Sequence, residues 1–449
     1  MAAREGDRRS LRLRNMAERH GLPISQSKTR LLARSPAPVV VTVVFTSFIS
    51  VTYGFGVYLF AALMPEMRAT LTFDYAFAGA VAGYAQIGYL SSSLAIGFLA
   101  PLIGPARTVA GSMVICTICL LALSGIGSPI SLAALLVCLA AMAASVWTPM
   151  AQLAQQLIPE QHQGKALGLM SSGTSYGVFI NGLIVPPLVL AFGWRSVWLV
   201  VGATAACLTL IGILSLSRLG DRHFSRDARQ SRSSSETPQR SSSFRGPLIL
   251  LIIMFLSGLA CMPFQTFLTS YLRDEHAWSP ELSGRIWSMI GIAGMFGGFL
   301  MGSIADRISV KRTLTLAFVL LFFAAAIACR PTSPAIVFAG AGLFGIAFNS
   351  IFGLVPAYVS KTTQGTGATR LFGVLNLSVG LGNMSGNIVG GNMRETLATF
   401  NPMYVSIAGI VLVLILLTFL LPSDRRKIEP AGDVDDRAFI PPERDVACG

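Results

Sequence analysis

Stretches without a charged side chain divide this chain into a regular series of apolar segments. Ionised side chains are costly in hydrocarbon, so charge-free intervals mark where the chain can cross a membrane. A crossing helix needs about 20 apolar residues, and every interval is long enough for one. The intervals cover residues 35–65, 75–106, 108–159, 166–194, 196–217, 246–272, 286–305, 313–329, 331–360, 371–393 and 396–423.

The interval 108–159 is long enough for two crossings, and a turn-forming run at 124–129 divides it. The pattern therefore predicts an all-α integral membrane protein with twelve transmembrane helices. A polar, Ser- and Arg-rich segment after the sixth helix separates two six-helix bundles. We expect a tail at 1–37, a first bundle at 38–218, a linker at 219–246, a second bundle at 247–422 and a tail at 423–449.

Composition agrees, because 53% of the residues are hydrophobic, only 12% are charged and the mean hydropathy is +0.64. The net charge of +13 reflects basic residues concentrated on one side of the membrane, which indicates the orientation of the chain. With both termini in the cytoplasm, six of the 34 basic residues fall outside: Arg68, Arg195, Arg273, Arg285, Arg330 and Arg394. We expect a multi-pass protein of a bacterial inner membrane. The basic N-terminal tail and central linker have no interleaved aromatic platform for bases, and attraction to membrane lipid fits them better.

An internal repeat relates the two halves. Sliding the chain by 205 residues superposes Leu63 on Leu268, Arg68 on Arg273, Gly79 on Gly284, Ile87 on Ile292, Gly97 on Gly302, Arg107 on Arg312 and Thr108 on Thr313. Duplicated halves are typical of secondary transporters.

The loop between helices 8 and 9 follows the pattern G-x-x-x-D-R-x-x-x-K/R-R at Gly302, Asp306, Arg307, Lys311 and Arg312. With this motif and the twelve spans, the chain resembles a major facilitator superfamily transporter. The resemblance covers about residues 38–422. It implies that this loop is a cytoplasmic latch, which helps to hold the outward-facing state.

The first-half copy of the loop has Pro101 in place of the acid and Leu102 in place of the arginine. A weaker latch is expected there. The run from Gly164 to Arg195 resembles bacterial monocarboxylate or oxalate/formate carriers, and equally an uncharacterised branch of presumed exporters. Helix 8 lacks the Asp and Arg of the monocarboxylate carriers, because Gly294 and Gly298 lie in that region.

The predicted spans hold no obvious buried charge, so the candidate substrate-binding residues are mostly neutral. They are Tyr53, Tyr84, Gln86, Trp147, Tyr176, Asn181, Gln265, Asn349, Asn376 and Asn383, together with Arg285 near the start of helix 8. Asn376, Asn383 and Asn387 share one face of helix 11. This stripe either joins helices by hydrogen bonds or lines a cavity.

Small residues recur at four-residue spacing on the helices that, in the family, meet across the bundles. They are Gly79 and Gly83, Gly173 and Gly177, Gly294, Gly298 and Gly302, and Gly382, Gly386 and Gly390. Such small-residue faces allow close helix packing between the bundles and suit contacts that shift as the bundles rock.

We therefore expect a secondary active transporter that moves a small organic solute by alternating access, driven by a gradient. The substrate is either a small carboxylate or a neutral or lipophilic compound for export, and a proton or counter-solute is the candidate coupling partner. The alternative is a membrane sensor or receptor that has a transporter fold and moves nothing. No catalytic or metal-binding motif occurs, so we expect neither an enzyme nor a cofactor, and we expect a monomer.

Overall fold

The computed structural model describes residues 38–216, 245–363, 366–422 and 424. The expected tail at 1–37, the linker up to residue 244 and the tail at 423–449, apart from residue 424, lie outside this part of the chain. Everything regular within the described ranges is helical.

Twelve long helices follow one another along the described chain. They are α1 (Pro38–Leu71), α2 (Tyr75–Ile103), α3 (Pro105–Leu123), α4 (Pro129–Leu157), α5 (Gln161–Phe192), α6 (Trp194–Leu216), α7 (Gly246–Glu275), α8 (Pro280–Arg307), α9 (Val310–Cys329), α10 (Pro334–Thr362), α11 (Thr366–Leu397) and α12 (Asn401–Leu420). The prediction of an all-α, twelve-helix membrane fold is confirmed.

Eleven of these helices are long and apolar enough to cross a membrane by themselves. The remaining one is α11, whose 32 residues include the amide stripe. Asn383 and Asn387 of that stripe are buried against other helices. Because lipid does not meet these two amides, α11 can span a membrane in spite of its polarity.

The same local chemistry begins several of the helices. Ser128, Ser279 and Ser333 each accept a hydrogen bond from the backbone N–H three residues on, and each is followed by proline. Serine satisfies a free N–H at a helix start, and proline fits the first helical position. Asp74 caps α2 in the same way, since its Oδ1 accepts from the N–H of Phe77 at 2.7 Å.

Helices α1 to α6 form one bundle and α7 to α12 the other. We call the end of the molecule where α1 begins and α12 ends the terminal end, and the opposite end, with the α1–α2 and α7–α8 turns, the far end. Aromatic rings fill the second bundle: Phe264 of α7 stacks on Phe344 of α10, with ring centroids 4.2 Å apart.

The middle of α1 winds as a π-helix over Ser50–Tyr58. Such turns depart from the regular hydrogen-bond ladder and often mark functional positions. The carbonyl oxygen of Gly54 accepts a 2.7 Å hydrogen bond from Nδ2 of Asn181 in α5. Gly54 packs so closely on Gly177 that a Cβ would lie 2.4 Å from the Gly177 Cα. The wide turn is therefore held directly against α5.

Candidate functional site

A cavity of about 40 Å³ lies between the two bundles. The first bundle lines it with α1, α2 and α4, and the second with α7 and α11. Its polar side chains include Gln86, Gln265, Thr266 and Asn387, and Tyr58 is among its larger neighbours. A water needs roughly 10–15 Å³ of such space, so the cavity has room for about three waters in this state.

Three buried amides on α7 and α11 have carbonyl oxygens without a hydrogen-bond partner among the described residues: Gln265 Oε1, Asn383 Oδ1 and Asn387 Oδ1. Gln265 and Asn387 are each only 2% exposed. Asn383 Nδ2 lies 3.4 Å from Oε1 of Gln86, which places a weak hydrogen bond between the bundles. An unpaired buried acceptor is costly, and a ligand donor would remove that cost.

The cavity wall carries no formal charge among the residues that the structure describes. None of the described residues that line it is Asp, Glu, Lys, Arg or His.

The sequence candidates divide between the cavity and its surroundings. Gln86 and Gln265 line the cavity, and Asn383 lies beside Gln86. Asn181 is fully buried and lines a smaller cavity of about 10 Å³ nearer the far end. The hydroxyl oxygen of Tyr53 lies 3.0 Å from that of Tyr89, within the first bundle.

The remaining candidates lie outside the cavity lining. Tyr84 is 52% exposed, and Asn376 and Arg285 are also exposed. Trp147 is half-buried against the hydrophobic core of its bundle.

Two further candidates lie on α5 and α10. Tyr176 is half-buried on α5. Asn349 of α10 accepts a 3.2 Å hydrogen bond from Oγ of Ser175, which connects the two bundles directly.

Crossed ion pairs connect the bundles at the far end. Arg273 of α7 pairs with Glu66 of α1, and Arg68 of α1 lies 3.4 Å from Oδ2 of Asp274 in α7. The two arginines are the pair that the internal repeat superposes. Each repeat therefore donates one arginine to a carboxylate of the other repeat, and we call these two pairs the far-end gate.

Tyr75, at the start of α2, joins the same cluster. Its hydroxyl donates to Asp274, and its backbone N–H donates to Oε1 of Glu395 in α11 at 2.7 Å. The guanidinium carbon atoms of Arg68 and Arg394 lie 4.6 Å and 5.1 Å from the centre of its ring. Cation–π contacts of this kind add to the ion pairs.

The glycine seams are closed toward the far end. A Cβ on Gly79 of α2 would lie 2.3 Å from the carbonyl oxygen of Asn387 in α11. A Cβ on Gly182 of α5 would lie 2.4 Å from the carbonyl oxygen of Gly284 in α8, and one on Gly284 would lie 2.6 Å from that of Gly182. Backbones approach this closely only where no side chain intervenes.

The same four helices are apart toward the terminal end. A Cβ on Gly97 of α2, Gly168 of α5, Gly298 of α8 or Gly373 of α11 would meet nothing within 4 Å among the described residues. The exposed side chain of Asn376 lies in this open half, whereas Asn383 and Asn387 lie in the closed half. The bundles therefore meet at the far end and separate at the terminal end.

The loop predicted to be a latch contacts its own bundle in this state. Asp306 lies 3.9 Å from Nζ of Lys361 at the end of α10, and its side chain is 82% exposed. Lys311 donates to the carbonyl oxygens of Phe419 and Leu421, where α12 ends.

The other residues of the loop motif are Gly302, Arg307 and Arg312. The backbone N–H of Arg312 donates to Oγ of Ser309, which caps α9. Gly302 faces open space, and Arg307 is exposed. The ion pair of Asp306 and the hydrogen bonds of Lys311 and Arg312 thus join the loop to residues of the second bundle.

Sequence reasoning missed the far-end gate. The repeat superposes Arg68 on Arg273, but the distribution of charge along the chain places both arginines in outer loops and gives neither a partner. The signal that could have found the gate is the carboxylate near each arginine, Glu66 before Arg68 and Asp274 after Arg273. If the α1–α2 and α7–α8 turns face each other, each arginine can pair with the carboxylate of the other repeat.

Curated relatives cover about half of the chain. A "Multi-drug resistance efflux pump PmrA homolog" of Lactococcus lactis subsp. lactis (strain IL1403) is 26% identical over 52% of this chain, and the match spans 57% of the relative. A "Probable sulfoacetate transporter SauU" of Cupriavidus necator is 25% identical over 54% of this chain and 61% of its own length. The chain thus matches less than two thirds of these relatives' length.

Solved structures share the fold over most of the chain. The nucleoside transporter NupG aligns with a TM-score of 0.66 at 16% identity, covering 85% of this chain and 98% of NupG. A bacterial homologue of the human lysosomal transporter Spinster, in an inward-facing and occupied conformation, aligns with a TM-score of 0.68 at 16% identity, covering 86% and 97%. The family profile matches residues 46–368 and 250–444. This chain, as its repeat, loop motif and twelve helices had indicated, belongs to the Major Facilitator Superfamily.

Proposed function

We propose that this protein is a secondary active transporter that moves a small organic solute by alternating access. One observation carries the proposal: the bundles are closed across the cavity at the far end and apart at the terminal end. Rocking of the two bundles about the cavity would reverse this arrangement. The internal repeat supports the same motion, because related halves can exchange equivalent contacts at the two ends.

The terminal end is cytoplasmic in this proposal, since the positive-inside rule places both termini inside the inner membrane. The structure then represents an inward-facing state. The loop from Gly302 to Arg312 would latch the cytoplasmic side only when the bundles meet there, which agrees with the contacts that Asp306, Lys311 and Arg312 make within the second bundle.

A proton or a counter-solute is the candidate coupling partner of this transport. Glu66 and Asp274 each hold an arginine of the opposite bundle, so opening of the far end has to break both ion pairs.

The relatives support both substrate classes that the sequence left open. One is described as a multidrug efflux pump and another as a probable transporter of sulfoacetate, which is an anionic carboxylate. The first class corresponds to neutral or lipophilic compounds. The second corresponds to small organic acids.

Transport by reconstituted protein tests the proposal. Proteoliposomes with an imposed pH gradient would be assayed with labelled sulfoacetate and with a fluorescent lipophilic dye. Gradient-driven accumulation of either, abolished by Gly284→Val, is the expected result. Saturable binding of a probe without accumulation or exchange would instead identify a sensor or receptor with a transporter fold.

A further inference from the structure

We propose that the cavity selects an uncharged ligand that presents a hydrogen-bond donor beside an acceptor, as a carboxamide, ureide or lactam edge does. The proposal rests on the proposed transport function and chooses between its two substrate classes. It derives from the chemistry of the cavity wall alone.

The amides of the wall define the hydrogen bonding. Gln265 and Asn387 come from two helices of the second bundle, and Gln86 comes from the first. A primary carboxamide offers one acceptor and two donors side by side. A planar edge with an N–H next to a C=O matches that arrangement with two parallel hydrogen bonds, and it would give the unpaired oxygens of Gln265 and Asn387 their missing donors.

The absence of charge in the wall excludes carboxylates. A carboxylate that enters an apolar site loses its hydration, and without a cationic partner this loss is not recovered. The nearest basic candidate of the sequence, Arg285, is exposed and does not line the cavity. An uncharged edge makes the same hydrogen bonds at a much lower desolvation cost.

The remainder of the wall is apolar and aromatic. Tyr58, Phe60 and Met262 surround the polar side chains. Few polar groups among apolar walls are typical of small-molecule sites. The ligand would therefore combine the donor–acceptor edge with a flat apolar body, and the bundles would have to separate around it, because the cavity now holds only about 40 Å³.

Three related probes test the proposal on the purified full-length protein. Nicotinamide carries the neutral donor–acceptor edge, nicotinate replaces it with a carboxylate, and 3-acetylpyridine keeps the acceptor but lacks the donor. Thermal stabilisation at increasing concentration gives each Kd. We expect nicotinamide to bind at least tenfold more tightly than either analogue, which corresponds to about 1.4 kcal/mol.

Variants locate the binding. Gln265→Leu and Asn387→Leu should each weaken nicotinamide binding about tenfold. Asn392→Leu is the matched control on α11, because Asn392 is exposed and donates only to the carbonyl of Ile388 within its own helix. It should leave the Kd unchanged. If Gln265→Leu does not fold, Gln265→Glu and Asn387→Leu provide the test, since added charge should weaken nicotinamide and not favour nicotinate.

Equal or tighter binding of nicotinate, loss of binding in Asn392→Leu alone, or no binding of nicotinamide would each overturn the proposal. Failure of this ligand proposal can be distinguished from failure of the proposed transport function. A protein that accumulates sulfoacetate in proteoliposomes is a transporter with the wrong cavity chemistry, whereas one that binds nicotinamide but moves no probe is not a transporter.

Discussion

Four asparagines show how the surroundings of one side-chain type decide its role. Asn181 donates to the Gly54 carbonyl and so supports the π-helical turn of α1. Asn383 reaches Gln86 across the bundles, Asn387 lines the cavity with its oxygen unpaired, and Asn376 is exposed. Spacing on helix 11 predicted that three of these share a face. It could not predict which would be paired, because the partners lie on helices distant in sequence.

Replacement of Asn181 should destabilise the first bundle. Asn181→Leu removes the buried hydrogen bond to the Gly54 carbonyl, at a cost of about 0.5–1.5 kcal/mol. Thermal unfolding of the purified variant measures the loss. Asn392→Leu, on an exposed face of α11, is the control and should change stability by less than about 0.5 kcal/mol. Equal effects of the two substitutions would argue against a structural role for the Asn181 hydrogen bond.

Helices α2, α5, α8 and α11 act as the seams between the bundles, and their two halves differ. The glycine spacing predicted close-packed seams, but a repeated spacing contains no information about which half is closed. That depends on the state of the whole molecule. The structure closes the half toward the far end, where Gly182 and Gly284 meet backbone to backbone.

Two substitutions on α8 should differ in their effect on the seam. Gly284→Val places a side chain where a Cβ already lies 2.3 Å from Cγ of Pro186, so the far end cannot close. Gly298→Val enters open space and should leave the present state intact. Labelling of a cysteine at Ala62, which lines the small far-end cavity, reports the outcome with a membrane-impermeant maleimide.

The labelling rate at Ala62→Cys should rise in the Gly284→Val variant and stay the same or fall in the Gly298→Val variant. Both variants add the same side chain to the same helix, so a general loss of packing would raise both rates. Parallel increases would therefore contradict the assignment of the closed and open halves.

The molecule as a whole is held in this state by contacts that the internal repeat duplicates. Arg68 and Arg273 are equivalent in the two halves and each pairs with a carboxylate of the other. The sequence predicted the twelve helices, the repeat and the family, because hydropathy and motif spacing are local properties. The far-end gate, the cavity and the closed far end depend on how the two bundles are placed relative to each other. No local sequence pattern contains that information.

Charge reversal at the gate should shift the balance between states. Arg273→Glu faces Glu66 with a like charge and should disfavour the closed far end by at least about 1 kcal/mol, since both side chains are mostly buried. The double variant Glu66→Arg with Arg273→Glu restores an attractive pair and should recover the wild-type distribution. Failure of the double variant to recover would show that the pair does not control closure.

Rocking of the bundles about the cavity can be tested by measuring two distances in one protein by pulsed electron spin resonance. In a background without native cysteines, spin labels at Ala69 and Glu281 report the far end, and labels at Leu102 and Gly373 report the terminal end. In the Arg273→Glu variant the far-end distance should increase while the terminal-end distance decreases. Changes of both distances in the same direction, or at one end only, would contradict alternating access by rocking.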